Sequence, residues 1–278
     1  MTLDLALIRK RLTTLKTQTN KSKDTWKPEP GKTKIRIVPY KYQPDNPFIE
    51  MYFHFNIVPK KSPLSLKTFG EKDPIADFAE KLKRTGDRTD WALGRKMEPK
   101  LRTFACVVVR GKEQEGVKFW GFGKTIYEKL LGTIAEPEWG DITDPHSGRD
   151  IIVEFKTKEQ VGKDYPETDI TVLPTQTPLT KDDALMTKLL DEQKEIIEVY
   201  PKPTYEELME ALDKHLNPEE EEGGVETTPN PEGDEESTDT SAPAGVKENT
   251  AKKPAVKEGT KDVAKAFDEM FKKADAAK

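Results

Sequence analysis

Charges of opposite sign occupy separate parts of this chain, and this limits which parts can fold. Residues 1–135 contain 28 Lys and Arg against 15 Asp and Glu, whereas residues 136–245 contain 9 against 30. Ten of those acids lie in residues 218–245, which have no base and almost nothing apolar to bury. Such a segment cannot offset the entropy lost on ordering. We therefore predict a folded core that ends at residue 217 and an acidic, disordered tail over 218–278.

The composition narrows the class of protein. The chain has no apolar run of the ~20 residues that cross a bilayer, and no signal-peptide pattern at its start. We therefore expect a soluble, intracellular protein that is not secreted and has no membrane partner. Cys106 is the single cysteine, which excludes an internal disulfide and a cysteine-rich zinc cluster within the chain.

Alternating apolar residues predict a sheet with helices around it. Strand patterns occur at 32–39, 48–58, 101–110, 117–123 and 150–158, and helical patterns at 73–93, at 124–131 and after Thr180 and Thr204. The short connection between the third and fourth strand patterns suits an antiparallel hairpin. Thr180 and Thr204 each precede an acid three residues later, which is typical of a helix-capping box. Short strands with helical insertions favour a small, partly open barrel, mainly β with α, over a parallel α/β sheet.

The sequence offers no convincing catalytic group. Cys106 lies within an apolar strand pattern, where a buried thiol is normally inert. Paired carboxylates such as Asp182 and Asp183 fall at capping or solvated positions, and neither common glycine-rich phosphate motif is present. We therefore predict that the protein is not an enzyme.

Aromatic residues and cations recur together in the sequence. Trp91 lies near Arg95, Lys96, Lys100 and Arg102, Trp120 near Lys118 and Lys124, and Tyr165 near Lys156, Lys158 and Lys163. Such clusters suit single-stranded nucleic acid, since rings stack on bases and cations neutralise phosphates. The alternative is that the rings belong to the core and the lysines are simply solvated. Because positive charge accumulates where most of these rings lie, we favour nucleic-acid binding.

Several runs of residues resemble a known family. RTFACVVV at 102–109, EGVK at 115–118 and FWGFGKTIYEK at 119–129 are similar to the core hairpin and following helix of the gene 32 single-stranded DNA-binding proteins of T-even-like tailed phages. GKTKIRIVP at 31–39, TYEEL at 204–208 and the basic, core, acidic order support the resemblance. It implies an oligonucleotide/oligosaccharide-binding (OB) barrel over residues 28–217, with an inserted subdomain at about 54–97 and closing helices at 181–216.

The resemblance also implies where DNA binds. The positions that match the family's DNA contacts, or lie in the same basic runs, are Arg36, Trp91, Arg95, Lys96, Lys100, Arg102, Trp120, Lys124 and Tyr165. Thr103 stands at a further tyrosine position of the family, which would remove one stacking platform. We expect the rings and cations to line one cleft shared by the barrel and the inserted subdomain.

The two ends of the chain are expected to bind proteins. Residues 1–27 form a basic arm in which Arg9, Lys10, Arg11, Thr13 and Thr14 resemble the family's motif for contact between neighbouring protomers along DNA. In the tail, apolar residues at helical spacing predict an amphipathic helix over 260–274. Phe267, Met270 and Phe271 on this helix are expected to recruit replication and recombination proteins.

One departure from the family concerns zinc. Family members hold a zinc ion with one histidine and three cysteines, and His54 matches that histidine. Asp73-Pro74-Ile75-Ala76 stands where a Cys-Pro-x-Cys pair would be. Because a structural zinc site needs four good ligands, we predict no zinc and no other cofactor. The subdomain is then expected to be held by apolar packing of Phe55, Ile57, Leu64, Leu66, Phe69, Ile75, Phe78 and Leu82.

The sequence thus predicts a cooperative, sequence-independent single-stranded DNA-binding protein of phage DNA replication, recombination and repair, located in the host cytoplasm. Two alternatives remain open. One is a protein-interaction or acidic chaperone-like module in which the acidic block is the active part. The other is a single-stranded RNA-binding protein that uses the same ring and cation chemistry.

Overall fold

A computed structural model describes residues 23–59 and 61–217, and these residues divide into two units. The first unit comprises residues 23–52 and 101–202, and the second comprises 53–59, 61–100 and 203–217. The second unit therefore contains the predicted insertion at 54–97 together with the last described helix, which the sequence had placed among the helices closing the barrel. The predicted arm motif at residues 9–14 and the tail from residue 218 lie outside the described residues.

The described strands form a single mixed sheet. Their bounds are Thr25–Trp26 (β1), Gly31–Val38 (β2), Phe48–Phe53 (β3), Lys100–Val109 (β4), Lys118–Phe122 (β5), Arg149–Lys156 (β6) and Glu167–Gln176 (β7). The order across the sheet is β1-β5-β4-β2-β6-β7, with β3 also paired to β4. β1 runs parallel to β5, whereas β2–β4, β2–β6, β4–β5 and β6–β7 are antiparallel.

The helices have bounds close to several predicted ones. They are Pro74–Arg84 (α1), Arg88–Met97 (α2), Lys124–Ala135 (α3), Lys158–Val161 (α4), Asp183–Asp191 (α5), Ile196–Val199 (α6) and Tyr205–Leu216 (α7), with 3-10 turns at Leu66–Phe69 and Glu113–Glu115. This is a mixed α/β architecture. Within the described residues the strand pairings give an open sheet and not a closed barrel. The predicted class, a mainly β OB barrel, is therefore more specific than these pairings show. None of the helices described is long and apolar enough to cross a membrane.

The predicted hairpin is confirmed. β4 and β5 pair antiparallel, with Cys106 opposite Phe119 and Phe104 opposite Gly121. Nearly all of β4 is buried, as expected for a strand with neighbours on both edges and covered faces. A methyl group on Gly121 would lie 2.8 Å from the Phe104 ring, so glycine leaves the space that this ring fills.

The strand β7 was not predicted, since the last predicted strand pattern, at 150–158, corresponds to β6. β7 pairs antiparallel with β6 along most of its length, from Lys156 opposite Glu167 to Arg149 opposite Gln176. Its residues are only half-buried or exposed, so its apolar alternation is weak, and Pro174 lies within it. Pairing with β6 determines this strand more than its own pattern does.

The core of the first unit lies between the sheet and α3. It is built from buried residues of the strands, of α3 and of the following loop, namely Ile35, Ile37, Phe48, Ala105, Val107, Val109, Trp120, Phe122, Ile126, Leu130, Ile142, Ile151 and Val153. The alternation of Ile35 and Ile37 on β2, and of Ile151 and Val153 on β6, places these side chains on a common face. This explains why β2 pairs with β6 in its observed register.

The second unit has its own apolar core, which includes the last helix. Ile57, Leu66, Ile75, Phe78, Ala79, Leu82, Met97, Leu208 and Leu212 form one buried cluster. Phe55 and Leu64, which the sequence also placed in this core, are buried as well, whereas Phe69 is only half-buried. Leu208 and Leu212 come from α7, so this helix adds to the core that α1 and α2 form.

The helix boundaries follow their caps. The capping box predicted at Thr204 is confirmed, since the Glu207 N–H donates to Thr204 Oγ1 at 3.1 Å and the Thr204 N–H donates to Glu207 Oε2 at 3.0 Å. The box predicted at Thr180 is wrong. There Asp182 caps α5 by accepting from the N–H groups of Ala184 and Leu185, because its carboxylate lies one residue before the helix.

The helical pattern at 73–93 is in fact two helices. The chain turns at Gly86, which has φ of 83°, a conformation that glycine adopts readily. Asp87 then caps α2 by accepting from the N–H groups of Thr89 and Asp90. The two helices pack closely where a methyl group on Gly94 would lie 2.6 Å from the carbonyl oxygen of Ala79. Gly94 therefore sets how closely α2 approaches α1.

We predict opposite effects of alanine at two helical glycines. Gly94→Ala should lower the free energy of unfolding by about 1–3 kcal/mol, because the new methyl group meets backbone that cannot move alone. Gly132→Ala on α3, where a methyl group meets nothing within 4 Å, should raise it by about 0.5–1 kcal/mol through helix propensity. Urea unfolding of both variants tests this. Equal effects would show that helix propensity, and not the α1–α2 contact, decides both.

Candidate nucleic-acid interface

The helix α2 presents an aromatic ring and cations on its surface. Trp91 is 48% exposed, and the guanidinium carbon of Arg95 lies 5.4 Å from the centre of its ring. Residues four apart share a helix face, so the pairing follows from their spacing. Lys96 is exposed beside Arg95, and Arg88, also exposed, precedes Trp91 by three residues. Arg88 was not among the predicted contacts. Its spacing of three residues from Trp91 is the sequence signal that places it on the same helix face as Trp91 and Arg95.

A second ring and cation pair lies in the first unit. Tyr165 is 40% exposed in the loop between α4 and β7, and Lys163 Nζ lies 5.7 Å from the centre of its ring. Lys163 also forms an ion pair with Glu167. Here the sequence had grouped Tyr165 with the same lysine, and the structure brings the two side chains together.

Two of the remaining predicted lysines are exposed. Lys100 begins β4, and Lys124 begins α3. Lys124 Nζ lies 3.5 Å from Glu128 Oε1, four residues along α3, and both side chains are largely solvated. Exposed pairs of this kind contribute little to stability, so Lys124 can exchange this partner for a phosphate at small cost.

Three other predicted contacts are buried. Arg36, Arg102 and Trp120 are 0%, 6% and 1% exposed. Trp120 packs against Trp26, with ring centres 5.6 Å apart, and against Phe122 at 4.7 Å. A ring enclosed in this way has no face on which a base can stack. The burial of these three side chains argues against direct DNA contact at their positions, and such contact stays a prediction.

Arg36 belongs to a buried network of charges. Its Nε donates to Asp150 Oδ1 at 3.0 Å, and its second terminal nitrogen donates to the Thr177 carbonyl at 2.8 Å. Arg110 Nε donates to the same Asp150 oxygen at 2.8 Å. Burial lowers the pKa of Arg36, and the charge of Asp150 opposes that shift. The guanidinium of Arg36 is thus engaged by partners inside the protein, and it joins β2, β6 and the segment after β7.

Tyr42 was not predicted as a contact, but it is 49% exposed in the loop after β2. Its ring lies 5.5 Å from that of Tyr40, and its hydroxyl donates to the Gln193 carbonyl at 3.3 Å. The neighbouring Lys41 donates from Nζ to the Asp191 carbonyl at 2.8 Å. Tyr42 is therefore a third exposed ring with a cation next to it in sequence. The run YKY at 40–42 was the available signal.

His54, which the resemblance aligns with the family's zinc histidine, lies beside a carboxylate and a hydroxyl group. His54 is fully buried, and its Nε2 lies 2.9 Å from Asp73 Oδ2. The Ser65 hydroxyl donates to the same oxygen at 2.5 Å. One imidazole, one carboxylate already bonded to the protein and one hydroxyl are a poor ligand set for zinc, which prefers thiolate and imidazole. In the described part of the chain, no group of three or more His, Cys, Asp and Glu side chains is arranged to hold a metal ion.

Comparison with known proteins identifies the family. A family model described as gp32 DNA binding protein-like matches residues 29–218. The chain belongs to this family. The resemblance to gene 32-type single-stranded DNA-binding proteins is therefore confirmed over most of the chain. A search of curated proteins found no match.

Membership in the gene 32-type family carries two further conclusions. Its members are non-enzymatic DNA-binding proteins, in agreement with the prediction that this chain is not an enzyme. The family also implies an OB-type fold and binding of single-stranded DNA.

We predict an acid-sensitive contribution from Asp73. Burial raises the pKa of this carboxyl group, but hydrogen bonds and the charge of His54, with further hydrogen bonds from Ser65 and Ala76, outweigh burial and lower the pKa to about 2. Because the folded-state pKa lies below the unfolded value, the stabilisation is complete above about pH 4 and is lost as the pH falls towards 2. The loss should be on the order of 2 kcal/mol.

Unfolding by urea between pH 5 and pH 2 measures this contribution, with Asp73→Asn as the reference. The difference in unfolding free energy between the native protein and this variant should shrink as the pH falls, because the native carboxyl group then becomes neutral too. A difference that stays constant over the whole range would contradict the depressed pKa.

Proposed function

We propose that this protein binds single-stranded DNA cooperatively and without sequence preference, and acts in phage DNA replication, recombination and repair. The observation that carries the proposal is the exposed pair of Trp91 and Arg95 on α2, in a chain of the gene 32-type family. Trp91, Arg95, Lys96, Lys100, Lys124 and Tyr165 are the contacts that we propose. Arg36, Arg102 and Trp120 are assigned to the core that supports them.

A ring beside a cation suits an unpaired nucleotide. Stacking of a base on an aromatic side chain contributes about 1–3 kcal/mol, whereas an exposed cation over a ring contributes about 0.5–1 kcal/mol. A base can therefore replace Arg95 on the Trp91 ring with a net gain. The displaced guanidinium is then free to pair with the neighbouring phosphate. Tyr165 and Lys163 offer the same exchange in the first unit.

The same chemistry explains both properties that we propose for binding. Every base has an aromatic face, so stacking does not depend on sequence. A base in a duplex is already stacked and paired, so its face is not available to Trp91 or Tyr165. A protein that binds the open strand but not the duplex shifts transient openings towards the single-stranded state by mass action. This supports a role in exposing and protecting template strands.

The arm and the tail are proposed to add protein contacts. The arm residues Arg9, Lys10, Arg11, Thr13 and Thr14 would bind a neighbouring protomer on the same strand and so produce cooperativity. Phe267, Met270 and Phe271 of the tail would bind replication and recombination proteins. The ten acids of 218–245 have the charge needed to compete with DNA for exposed cations.

We predict that Trp91→Ala weakens binding to oligo(dT) about tenfold, because one stacking surface is lost. Arg95→Ala and Lys96→Ala should each reduce the slope of log K against log salt by about 0.7, the value for one phosphate contact on a single strand. Fluorescence titration at several salt concentrations measures both. Equal affinity for oligo(U) and oligo(dT) would instead favour the RNA-binding alternative.

The matched control is Tyr205→Ala. Tyr205 is also exposed and lies in the same unit, but it begins α7 beside Glu206 and Glu207, whose negative charges repel a phosphate. This variant should bind DNA as the native protein does. If Trp91→Ala and Tyr205→Ala weaken binding equally, the α2 surface is not the DNA contact. Unfolding curves of both variants check that the fold is intact.

We also predict that removal of residues 218–278 strengthens binding to oligo(dT) at low salt. The expected gain disappears at high salt, because screening weakens competition by the tail in the same way as it weakens DNA binding. Removal of only residues 246–278 leaves the ten acids in place and should not strengthen binding. Unchanged affinity at low salt after the longer truncation would rule out competition by the acidic segment.

A further inference from the structure

The buried carboxylate of Asp73 stands where the resemblance implies a cysteine ligand of the family's zinc site, and donors surround it. Its Oδ2 atom accepts from His54 Nε2 at 2.9 Å, from Ser65 Oγ at 2.5 Å and from the Leu66 N–H at 2.9 Å. Its Oδ1 atom accepts from the N–H groups of Ile75 and Ala76, both at 3.0 Å. We infer that the side chains of His54, Ser65 and Asp73, here called the clasp, replace the family's zinc ion and make the fold of the second unit independent of metal.

The polarity of the clasp is opposite to that of a metal site. A zinc ion needs lone pairs aimed at one point, from thiolates or unprotonated imidazole nitrogens. Here N–H and O–H groups are aimed at one point, and the chain itself supplies the anion that occupies it. A cation added to this site would face donors rather than ligands, so the arrangement does not suit a metal.

The clasp connects segments that are far apart in sequence, as a bound metal ion would. His54 follows β3, Ser65 precedes the 3-10 turn, and Asp73 begins α1. His54 Nδ1 also lies 3.3 Å from the Met97 carbonyl oxygen at the end of α2. Four segments within residues 53–100 thus meet at one buried point. This gives the second unit a cross-link between segments far apart in sequence, in addition to its apolar core.

Both ring nitrogens of His54 have a partner. Nδ1 lies within hydrogen-bond distance of the Met97 carbonyl, and Nε2 lies within hydrogen-bond distance of the Asp73 carboxylate. In the described residues every buried side-chain nitrogen and oxygen has a hydrogen-bond partner, so the clasp leaves no buried polar atom unsatisfied.

Asp73 has a second function that cysteine could not perform as well. Its Oδ1 atom caps α1 through the N–H groups of Ile75 and Ala76, while Pro74 takes the first helical position. The carboxylate therefore starts the helix and anchors His54 and Ser65 at the same time. This dual use explains how an aspartate can stand at a ligand position of the family without loss of the local fold.

Metal content and chelation give the first test. The full-length protein is purified without added metal, and its zinc is measured by mass spectrometry of the elements. We expect far less than one zinc atom per chain, and we expect 1,10-phenanthroline to leave amide hydrogen exchange unchanged in peptides from 54–97. Zinc bound one to one, whose removal increases exchange in these peptides, would overturn the proposal.

Variants of the clasp give the second test. Asp73→Asn keeps the size of the side chain but replaces one carboxylate oxygen by an amide NH2 group. This group would face the donors of His54 and Ser65. Exchange in peptides from 54–97 should become about tenfold faster or more, as expected when a buried charged hydrogen bond is lost. Ser65→Ala, which removes one donor, should have a smaller effect in the same peptides. Peptides from 101–202 should keep their exchange rates in both variants.

The control for this test is Asp77→Asn, an exposed acid in the first turn of the same helix. It should leave exchange in 54–97 nearly unchanged. Equal protection in Asp73→Asn and Asp77→Asn would overturn the proposal. Complete loss of protection in 54–97 with intact protection in 101–202 would support it, since the clasp would then be required for the second unit to fold. None of these measurements depends on DNA binding.

Discussion

Two guanidinium groups, from the buried Arg36 and the half-buried Arg110, share one oxygen of Asp150 and connect β2, β6 and the end of β4. Arg36 reaches this carboxylate from β2 and Arg110 from the end of β4, while Asp150 itself lies on β6. Carbonyl groups at 144 and at 177–179 accept further hydrogen bonds from the two arginines. Removal of Asp150 would leave the buried guanidinium of Arg36 uncompensated, which is far more costly than the loss of a surface ion pair. The network therefore fixes the segment that leads from β7 to α5.

Because of this network, part of the positive charge in the first half of the chain is bound within the protein and does not face a ligand. The net charge of residues 1–135 includes Arg36 and Arg110, whose guanidinium groups are engaged by Asp150 and backbone carbonyls. The cations suited to a phosphate are instead at helix surfaces and in loops, as Arg95, Lys96 and Lys124 are. Aromatic residues divide in the same way. Rings within strands, such as Trp120, are core residues, and the rings at Trp91 and Tyr165, on a helix and in a loop, are exposed.

The sequence predicted those parts of the fold whose local signals agree with the tertiary structure. The β4–β5 hairpin has apolar strands and a short polar connection, and the α7 cap has its Thr204 and Glu207 box, so both were identified correctly. β7 was missed because a half-exposed strand with a proline depends on its partner for its conformation. The exposure of Arg36 and Trp120 was misjudged for a different reason. Alternation along a strand shows which residues share a face, but it does not show that both faces are covered. The DNA contacts at Trp91, Arg95, Lys96 and Tyr165 stay predictions.

The proposed clasp also bears on the proposed DNA surface of α2. It contacts the end of this helix through the carbonyl of Met97, one residue after Lys96. The helix that carries Trp91 and Arg95 is thereby tied, through His54 and Asp73, to the start of α1. Because these are hydrogen bonds within the chain, the position of the proposed DNA surface depends on side chains of the second unit itself.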